Sequence, residues 1–346
     1  MNQKSQSKWI RFRWPILIII LLALYFIQLP YYYSQPGDAL SLDDVIEVEG
    51  ATTDGEGALM LTTIRMGKAN PIFYAWAQLS PYRVLHPEGQ IRFENETDED
   101  YEHRQLMMMN DSQEVAKIVA YEHANKSVSY EYFGVLVTSL IEGMPAYEVL
   151  KVGDRIQAVN GDSIQTAEQL IELLAGYIEG DTVELELERD DEMMGVSVGF
   201  SPFPAEMNAP SDRVGIGIQA PVTDRHVTFD PPVHIDTSKI GGPSAGLMFS
   251  LEIYDQLLEE DLTNGYNIAG TGTIREDGTV GRIGGAGQKV VAADRAGASY
   301  FLAPHEEGAE DSNYNEAVLA AEDIGTDMLI IPIDRFEDAV AFLESL

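Results

Sequence analysis

Residues 241–246 read Gly-Gly-Pro-Ser-Ala-Gly, and this run constrains the local fold more than any other stretch of the 346 residues. Adjacent glycines permit a tight backbone turn, and proline suits the first turn of a helix. The run therefore predicts a turn into a helix over residues 243–259. It places Ser244 at the positive end of the helix dipole, beside backbone N–H groups that have no partner within the helix.

Ser244 has a candidate base in Lys289, which follows a second glycine cluster at residues 284–287. A serine hydroxyl is a weak nucleophile without a base, and a lysine serves as a base only when it is neutral. Burial lowers a lysine pKa, and the neighbours of Lys289 are small or apolar. The pair indicates a Ser-Lys hydrolase, with the turn at Gly242, Pro243 and Ala245 predicted to hold the oxyanion.

Two other interpretations of Ser244 stay open at this point. Serine is common at helix starts and lysine at solvated surfaces, so each residue alone fits an ordinary structural role. The run also matches G-x-S-x-G, the nucleophile elbow of α/β-hydrolases, with Asp294 and His305 following in the order of that triad. Against the elbow, the preceding residues 236–240 are not the apolar strand that it needs.

The charge distribution excludes one class of partner. The first 14 residues carry four basic residues and no acid, which leaves 18 basic against 57 acidic residues, a net charge of −39, in the rest of the chain. Such an acidic body repels DNA and RNA. The chain has no cysteine, so it has no disulfide, thiolate metal site or cysteine nucleophile. We expect no metal and no cofactor.

The N-terminus has the pattern of a membrane anchor. An apolar run lies between Trp14 and Tyr33, twenty residues with aromatic residues at both ends, which is enough for one crossing. Bulky tyrosines end the run where a cleaved signal peptide would have small residues. We therefore expect a cytoplasmic tail over 1–13, a single-pass anchor over 14–33 and an extracellular body over 34–346 at the cell membrane.

Residues 34–126 form the first extracytoplasmic segment. Two strands are predicted over 45–48 and 58–66, because both runs are rich in apolar and β-branched residues. The charge run 94–102 predicts an exposed loop. A helix is predicted from Asp111 or Ser112 to about residue 123.

Residues 127–198 show a different pattern. Gly153-Asp154 and Asn160-Gly161 are turn dipeptides around an alternating strand, Thr166 is a candidate N-cap, and residues 183–188 alternate strictly between apolar and acidic. This segment resembles a PDZ domain of bacterial envelope proteases. The resemblance implies a peptide-binding groove between the strand and the helix of this segment. Its lining residues would be Phe133, Gly134, Val135, Leu136, Leu170 and Leu174.

Residues 199–346 alternate between helix and strand near the C-terminus, which favours a partly parallel sheet. Residues 232–305 resemble the proteolytic domain of the Lon family in the Pro-Ser-Ala-Gly motif, Thr271-Gly272, the run Gly278-x-Val280-x-x-Ile283-Gly284-Gly285 and the lysine four residues after it. The resemblance implies a catalytic dyad of Ser244 and Lys289, with Thr271 as a partner of the lysine. In two departures, Gly241 and Thr273 stand where the family usually has acidic residues.

The whole chain resembles the membrane-anchored, PDZ-containing Lon-like proteases of Gram-positive bacteria. The expected fold class is α+β: an N-terminal transmembrane helix, a PDZ domain over 127–198 and a Lon-type α/β domain over 199–346. Residues 57–61 and the helix ending near residue 123 resemble the opening of a Lon domain, which suggests that the PDZ domain is inserted within it.

The resemblance implies an endopeptidase that acts on peptides or unfolded protein segments. The chain contains no G-x-x-x-x-G-K-[ST] motif, so we expect it to work without ATP. Assembly into a homo-oligomer stays open. The alternative is an inactive PDZ scaffold that binds peptides at the cell envelope.

Overall fold

The computed structural model describes residues 6–51, 55–93, 96–204, 207, 210, 213–237, 240–258 and 261–346. Parts of four predicted segments lie outside these residues: positions 1–5 of the tail, Glu94 and Asn95 of the charged loop, residues 238–239 before Ser244, and the last residue of the helix predicted over 243–259. The chain forms two compact units. The first unit combines residues 1–128 and 229–346, and the second comprises residues 129–228.

The first unit begins with the elements of its N-terminal segment. They are α1 (Gln6–Phe26), β1 (Tyr31–Ser41), β2 (Ile46–Val48), β3 (Ala58–Lys68), α2 (Pro71–Ala77), β4 (Val84–Pro87), α3 (Glu88–Ile91) and α4 (Asp98–His123).

The C-terminal segment supplies the rest of the first unit. Its elements are β15 (Val233–Ile235), α7 (Gly246–Leu257), β16 (Asn267–Gly270), β17 (Thr273–Ile274), β18 (Val280–Gly281), α8 (Ala286–Arg295), β19 (Tyr300–Pro304), α9 (Asn313–Ile324), β20 (Leu329–Ile333) and α10 (Phe336–Glu344).

One six-stranded sheet joins the two segments, in the order β20-β19-β16-β3-β1-β4. Strands β20, β19, β16 and β3 run parallel, and β1 pairs antiparallel with both β3 and β4. Leu59 and Leu61 of β3 pack with α4 and α7 on one face, while Met60 packs with α8 and α9 on the other. The predicted alternation of helix and strand therefore forms a mixed α/β unit with helices on both faces.

The prediction that the anchor extends to Tyr33 is wrong. Helix α1 ends at Phe26, and the three tyrosines expected at the outer membrane surface begin β1 instead. Tyr32 is 5% exposed, with the Arg92 guanidinium 5.2 Å from its ring, and Tyr33 stacks on Phe73 at 4.8 Å. Across the described ranges, no helix combines the length and the hydropathy that a membrane crossing requires.

Helix α4 is longer than predicted because a capping box starts it early. The side chain of Thr97 accepts a hydrogen bond from the Asp100 N–H, and the Asp100 carboxylate accepts one from the Thr97 N–H. Acidic side chains in a first turn also favour the helix dipole. The end at His123 agrees with the prediction, whereas most of the charged segment 94–102 is helix and not loop.

The second unit contains a six-stranded sheet. Its order is β10 (Glu192–Gly199), β9 (Thr182–Arg189), β7 (Arg155–Val159), β5 (Ser127–Leu136) and β14 (Val222–Asp230), with β8 (Asp162–Ser163) paired to β7. The pairs β10–β9, β9–β7, β7–β8 and β7–β5 are antiparallel. Thr166 is the N-cap of its longest helix, as predicted. Residues 199–228 belong to this unit, so its boundary lies thirty residues beyond the predicted one. Its elements are β5 (Ser127–Leu136), β6 (Ser139–Leu140), α5 (Pro145–Val149), β7 (Arg155–Val159), β8 (Asp162–Ser163), α6 (Ala167–Leu174), β9 (Thr182–Arg189), β10 (Glu192–Gly199), β11 (Ser201–Pro202), β12 (Val214–Gly215), β13 (Ile218–Gln219) and β14 (Val222–Asp230).

Candidate active site

Ser244 and Lys289 lie in hydrogen-bond contact, although 45 residues separate them in the chain. Lys289 Nζ is 2.7 Å from Ser244 Oγ and 2.9 Å from Thr271 Oγ1. Thr271 follows the last residue of β16, Lys289 lies in the first turn of α8, and Ser244 lies in the turn before α7. The three side chains therefore meet at the carboxyl end of a parallel strand, where α/β sheets commonly place their sites.

Thr271 connects the lysine to the backbone of the nucleophile. Its hydroxyl donates to the Ser244 carbonyl at 3.0 Å, which leaves its oxygen to accept from Lys289 Nζ. The N–H of Gly272 donates to the same carbonyl at 3.0 Å. With one N–H engaged by Thr271, a neutral amine can direct its lone pair at the Ser244 hydroxyl proton.

Burial lowers the pKa of Lys289 from 10.5 to about 7. The residue is 3% exposed, and the cause is desolvation, which penalises the ammonium form. A pKa near 7 provides the neutral amine near neutral pH, as general base catalysis requires.

The turn that carries Ser244 is held from α4. The N–H of Gly242 donates to the Gln105 carbonyl at 3.0 Å, and the Ser112 hydroxyl donates to the Pro243 carbonyl at 3.1 Å. Helix α7 begins only at Gly246, so the prediction that the helix starts at Pro243 is wrong by three residues. Ser244 lies just before the helix, and its position depends on these contacts with α4.

The predicted oxyanion donors differ in what they can offer. Pro243 has no N–H, and the N–H of Gly242 is already bonded to Gln105. In the part of the chain that the structure describes, the N–H groups of Ser244 and Ala245 have no acceptor. The oxyanion role of Ala245 stays a prediction, whereas Gly242 and Pro243 shape the turn without donating.

The glycine loop before Lys289 is fixed by a side chain that the sequence did not single out. Asn313, 1% exposed at the start of α9, donates to the Ile283 carbonyl at 3.0 Å and accepts from the Ile283 N–H at 2.7 Å. Glu316 accepts from the Gly287 N–H at 3.0 Å. No motif around Asn313 pointed to this contact, because the asparagine lies 24 residues beyond the lysine that it helps to place.

The elbow interpretation has no support in the geometry. His305 Nδ1 lies 3.1 Å from Asp334 Oδ2, and its ring packs on Tyr314, so its contacts are away from Ser244. Among the described residues, neither His305 nor Asp294 contacts the serine.

A second candidate site is a groove in the second unit, with a volume of about 820 Å³. Leu170, Ile171 and Leu174 of α6 form one wall, and residues 213–221 form much of the rest. Leu170 and Leu174 thus lie where the sequence predicted, but the facing segment is a different one.

The predicted strand side of this groove is wrong. Val135 and Leu136 pair with β7, and β14 is the other neighbour of β5 in the sheet, and none of residues 133–136 lines the groove. A Cβ at Gly134 would clash with the Ile156 carbonyl oxygen, which shows that this glycine permits close strand packing. Phe133 lies outside the groove, beside Arg155. The missed signal is the alternation Gly215-Ile216-Gly217-Ile218, a glycine-apolar pattern in the segment that does line it.

Within the described residues, no group of three or more histidine, aspartate or glutamate side chains is arranged to hold a metal ion.

Two family descriptions match parts of the chain. Residues 91–199 match the PDZ domain, and residues 222–343 match the Lon protease (S16) C-terminal proteolytic domain. The PDZ match begins before α4, a helix that belongs to the first unit of the structure. A comparison with curated proteins gave no match.

Three of the solved structures similar to this chain each cover a quarter of it. The PDZ domain of the SdrC-like protein from Listeria monocytogenes is 26% identical, with 87% of that chain covered and a TM-score of 0.23. The corresponding domain from Listeria innocua is also 26% identical, with 92% covered and a TM-score of 0.22. A protein from Geobacillus thermodenitrificans is 32% identical, with 94% covered and a TM-score of 0.22.

Proposed function

Because the chain is a PDZ-containing serine protease of the Lon type, we propose that it is an endopeptidase with Ser244 as nucleophile and Lys289 as general base. The observation that carries this proposal is the 2.7 Å contact between Ser244 Oγ and a lysine whose pKa burial lowers to about 7. Its substrates are peptides or unfolded protein segments.

The geometry supports a complete proton path. Neutral Lys289 takes the hydroxyl proton of Ser244 as Oγ attacks the scissile carbonyl. The N–H groups of Ser244 and Ala245 are available for the developing oxyanion, and each such donor is worth about 2.7–4 kcal/mol. The ammonium then returns its proton to the leaving amine, and water attacks the acyl-enzyme with Lys289 again as base.

Cleavage of an unstructured peptide by the purified chain tests this function. We expect Ser244→Ala and Lys289→Ala each to lower kcat at least about 1,000-fold, because members of a catalytic unit act together. Ser112→Thr keeps the hydroxyl that holds the turn and is a control for local damage. If all these proteins cleaved the peptide equally, Ser244 and Lys289 would not be the catalytic dyad. If none of them cleaved it, the peptide-binding scaffold would be favoured.

The second unit is proposed to select substrates through the groove between α6 and residues 213–221. An extended peptide fits a groove of this kind, with its apolar side chains against Leu170 and Leu174. Ile171 lines the groove and is 56% exposed, so Ile171→Glu should weaken peptide binding without unfolding the unit. The control is Phe133→Glu, also at an exposed apolar residue but outside the groove. If only Phe133→Glu lost binding, the peptide-binding site would lie on the strand side predicted from sequence instead.

Independence from ATP stays a prediction. It is supported by the lack of a P-loop motif in these 346 residues. Addition of Mg-ATP should leave the rate of peptide cleavage unchanged; acceleration would overturn the prediction. Assembly of copies of the chain also stays a prediction, which sedimentation measures.

Membrane attachment, with residues 34–346 outside the cell, is likewise proposed. It is supported by the four basic residues among the first 14 and by the exposed apolar side chains of α1, such as Ile19 and Phe26. Retention in the membrane fraction after alkaline extraction, and digestion of the body by protease added to intact cells, are the expected results. Release of the full-length chain by alkaline extraction would refute attachment.

A further inference from the structure

Strand β3 extends well beyond the strand that pairs with it on the active-site side. Residues 58–61 pair with β16, which ends at Gly270, whereas β3 continues to Lys68. Over residues 62–68 it pairs with β1 on its other side only. Among the described residues, the backbone edge of this extension has no strand partner.

This free edge starts beside the dyad. The Thr62 hydroxyl donates to the Gly270 carbonyl at 3.0 Å, and the next residue, Thr271, contacts Lys289. Farther along the edge, a Cβ on Gly285 would lie 2.5 Å from Ile64 Cδ1, so the glycine loop before the lysine abuts β3 directly. The free edge of β3 therefore adjoins the end of β16, which leads into Thr271. It also adjoins the glycine loop, which leads into Lys289.

An apolar pocket of about 660 Å³ adjoins the edge. Ile64 and Met66 of β3 both line this pocket, because alternate residues of a strand share one face. Val84 of β4, Leu319 of α9 and the glycine loop line it further, and Glu316 and Asp323 add two carboxylates. Apolar walls with acidic groups favour an apolar side chain and disfavour an acidic one.

We propose that substrate binds as an extended strand along the free edge of β3 at residues 62–68 and places an apolar side chain in this pocket. The inference rests on the proposed endopeptidase function. Pairing through the main chain accepts any sequence, whereas the pocket selects one side chain near the scissile bond.

Binding to the full chain carrying Ser244→Ala tests the proposal without cleavage. The probe is a fluorescent unstructured peptide with a single leucine and an amidated C-terminus, followed by anisotropy. We expect Met66→Glu and Leu319→Glu each to weaken binding at least tenfold; Leu319 is 66% exposed, so its variant should fold. The matched control is Leu79→Glu, at a leucine that is 77% exposed and outside the pocket.

Two changes to the peptide complete the test. N-methylation of alternate amides should weaken binding at least tenfold for one of the two alternating sets, because a strand pairs with its neighbour through every second residue. Replacing the leucine with glutamate should abolish it. Unchanged binding in both pocket variants, or in both N-methylated peptides, would overturn the proposal. Binding with these dependences but no cleavage by the unmodified chain would instead overturn the endopeptidase function alone.

Discussion

At the scale of single residues, Lys289 couples catalysis to stability. The ammonium form of a side chain 3% exposed is penalised by desolvation, and this penalty supplies the neutral base. The folded pKa of about 7 lies below the unfolded value of 10.5, so the penalty is full below pH 7. It shrinks as the pH rises toward 10.5, because the unfolded chain then also loses its proton.

Lys289→Met should therefore stabilise the protein while abolishing cleavage. We expect a gain on the order of a few kcal/mol in the free energy of unfolding at pH 6, diminishing between pH 7 and 10.5. Urea unfolding across this pH range measures it. Lys126→Met, at an exposed lysine of the same unit, is the control and should show no such gain. A less stable Lys289→Met protein at pH 6 would contradict the burial argument.

Glu252 of α7 changes the stability of the protein with pH in the opposite direction from Lys289. It is 1% exposed, and burial raises its pKa from 4.5 to about 8, with the carboxylates of Asp43 and Asp255 nearby adding to the shift. Gln256 Nε2 donates to it at 2.7 Å and also bonds the Ile46 carbonyl of β2. The acid form is therefore favoured in the folded protein, and its stabilising effect is lost as the pH rises from 4.5 through 8.

Replacement of Glu252 with glutamine should raise stability at alkaline pH only. The amide oxygen can still accept from Gln256, while the cost of a buried carboxylate disappears. Thermal unfolding should show a higher Tm than wild type at pH 9 and an equal Tm at pH 4. A uniform loss across this range would mean that packing, not ionisation, governs the site.

At the scale of elements, the dyad depends on contacts between segments that are remote in sequence. Helix α4 supplies Gln105 and Ser112 to the nucleophile turn, and the start of α9 supplies Asn313 to the glycine loop. Thr97 explains why α4 includes Gln105 at all, since the helix predicted from residue 111 would have begun after it. Capping therefore contributes directly to the placement of Ser244.

Asn313→Ala should reduce kcat about tenfold or more with little change in KM, because the loop before Lys289 loses both of its amide contacts. The apparent pKa of kcat/KM should move from near 7 toward 10.5 as the loosened loop admits water. Asn315→Ala is the matched control, since that side chain bonds the carbonyls of Ala309 and Glu310 instead. A lower Tm with an unchanged pH profile would assign Asn313 a purely structural role.

At the scale of the whole molecule, the first unit is assembled from both ends of the chain. Its sheet takes β1, β3 and β4 from before the second unit and β16, β19 and β20 from after it. The chain leaves this unit after residue 128 and re-enters at 229, on the paired strands β5 and β14. The second unit has its own core, which includes Val135, Ile156 and Leu185.

Replacing residues 129–228 with a short flexible linker should leave a folded protein that cleaves unstructured peptides. The sheet and both helical layers of the first unit remain intact in such a chain. A fragment of residues 229–346 should fail to fold, because it lacks three of the six strands and α4. Circular dichroism and peptide cleavage measure both outcomes. An active, folded fragment would show that the N-terminal segment is dispensable.

Local rules were sufficient for features whose causes are local. The glycine turns, the Thr166 cap and the residue types of the dyad follow from conformational preference and from the chemistry of hydroxyl and amine groups. The groove of the second unit was half predicted: α6 was identified from its apolar periodicity, but its facing wall was not. That wall lies some forty residues beyond α6, and nothing short of strand pairing reveals that β14 occupies the edge of β5.

By itself, the sequence determined which side chains could perform the chemistry, because a hydroxyl nucleophile and a lysine beside glycine turns are properties of residue type and spacing. Only the tertiary structure decided that Lys289 is buried, that Ser244 lies before its helix, and that the three tyrosines form a strand. Each of these depends on contacts across tens to hundreds of residues, such as Leu61 paired with Gly270. Burial and strand pairing are properties of the folded chain, and they set both the lysine pKa and the edge on which a substrate can lie.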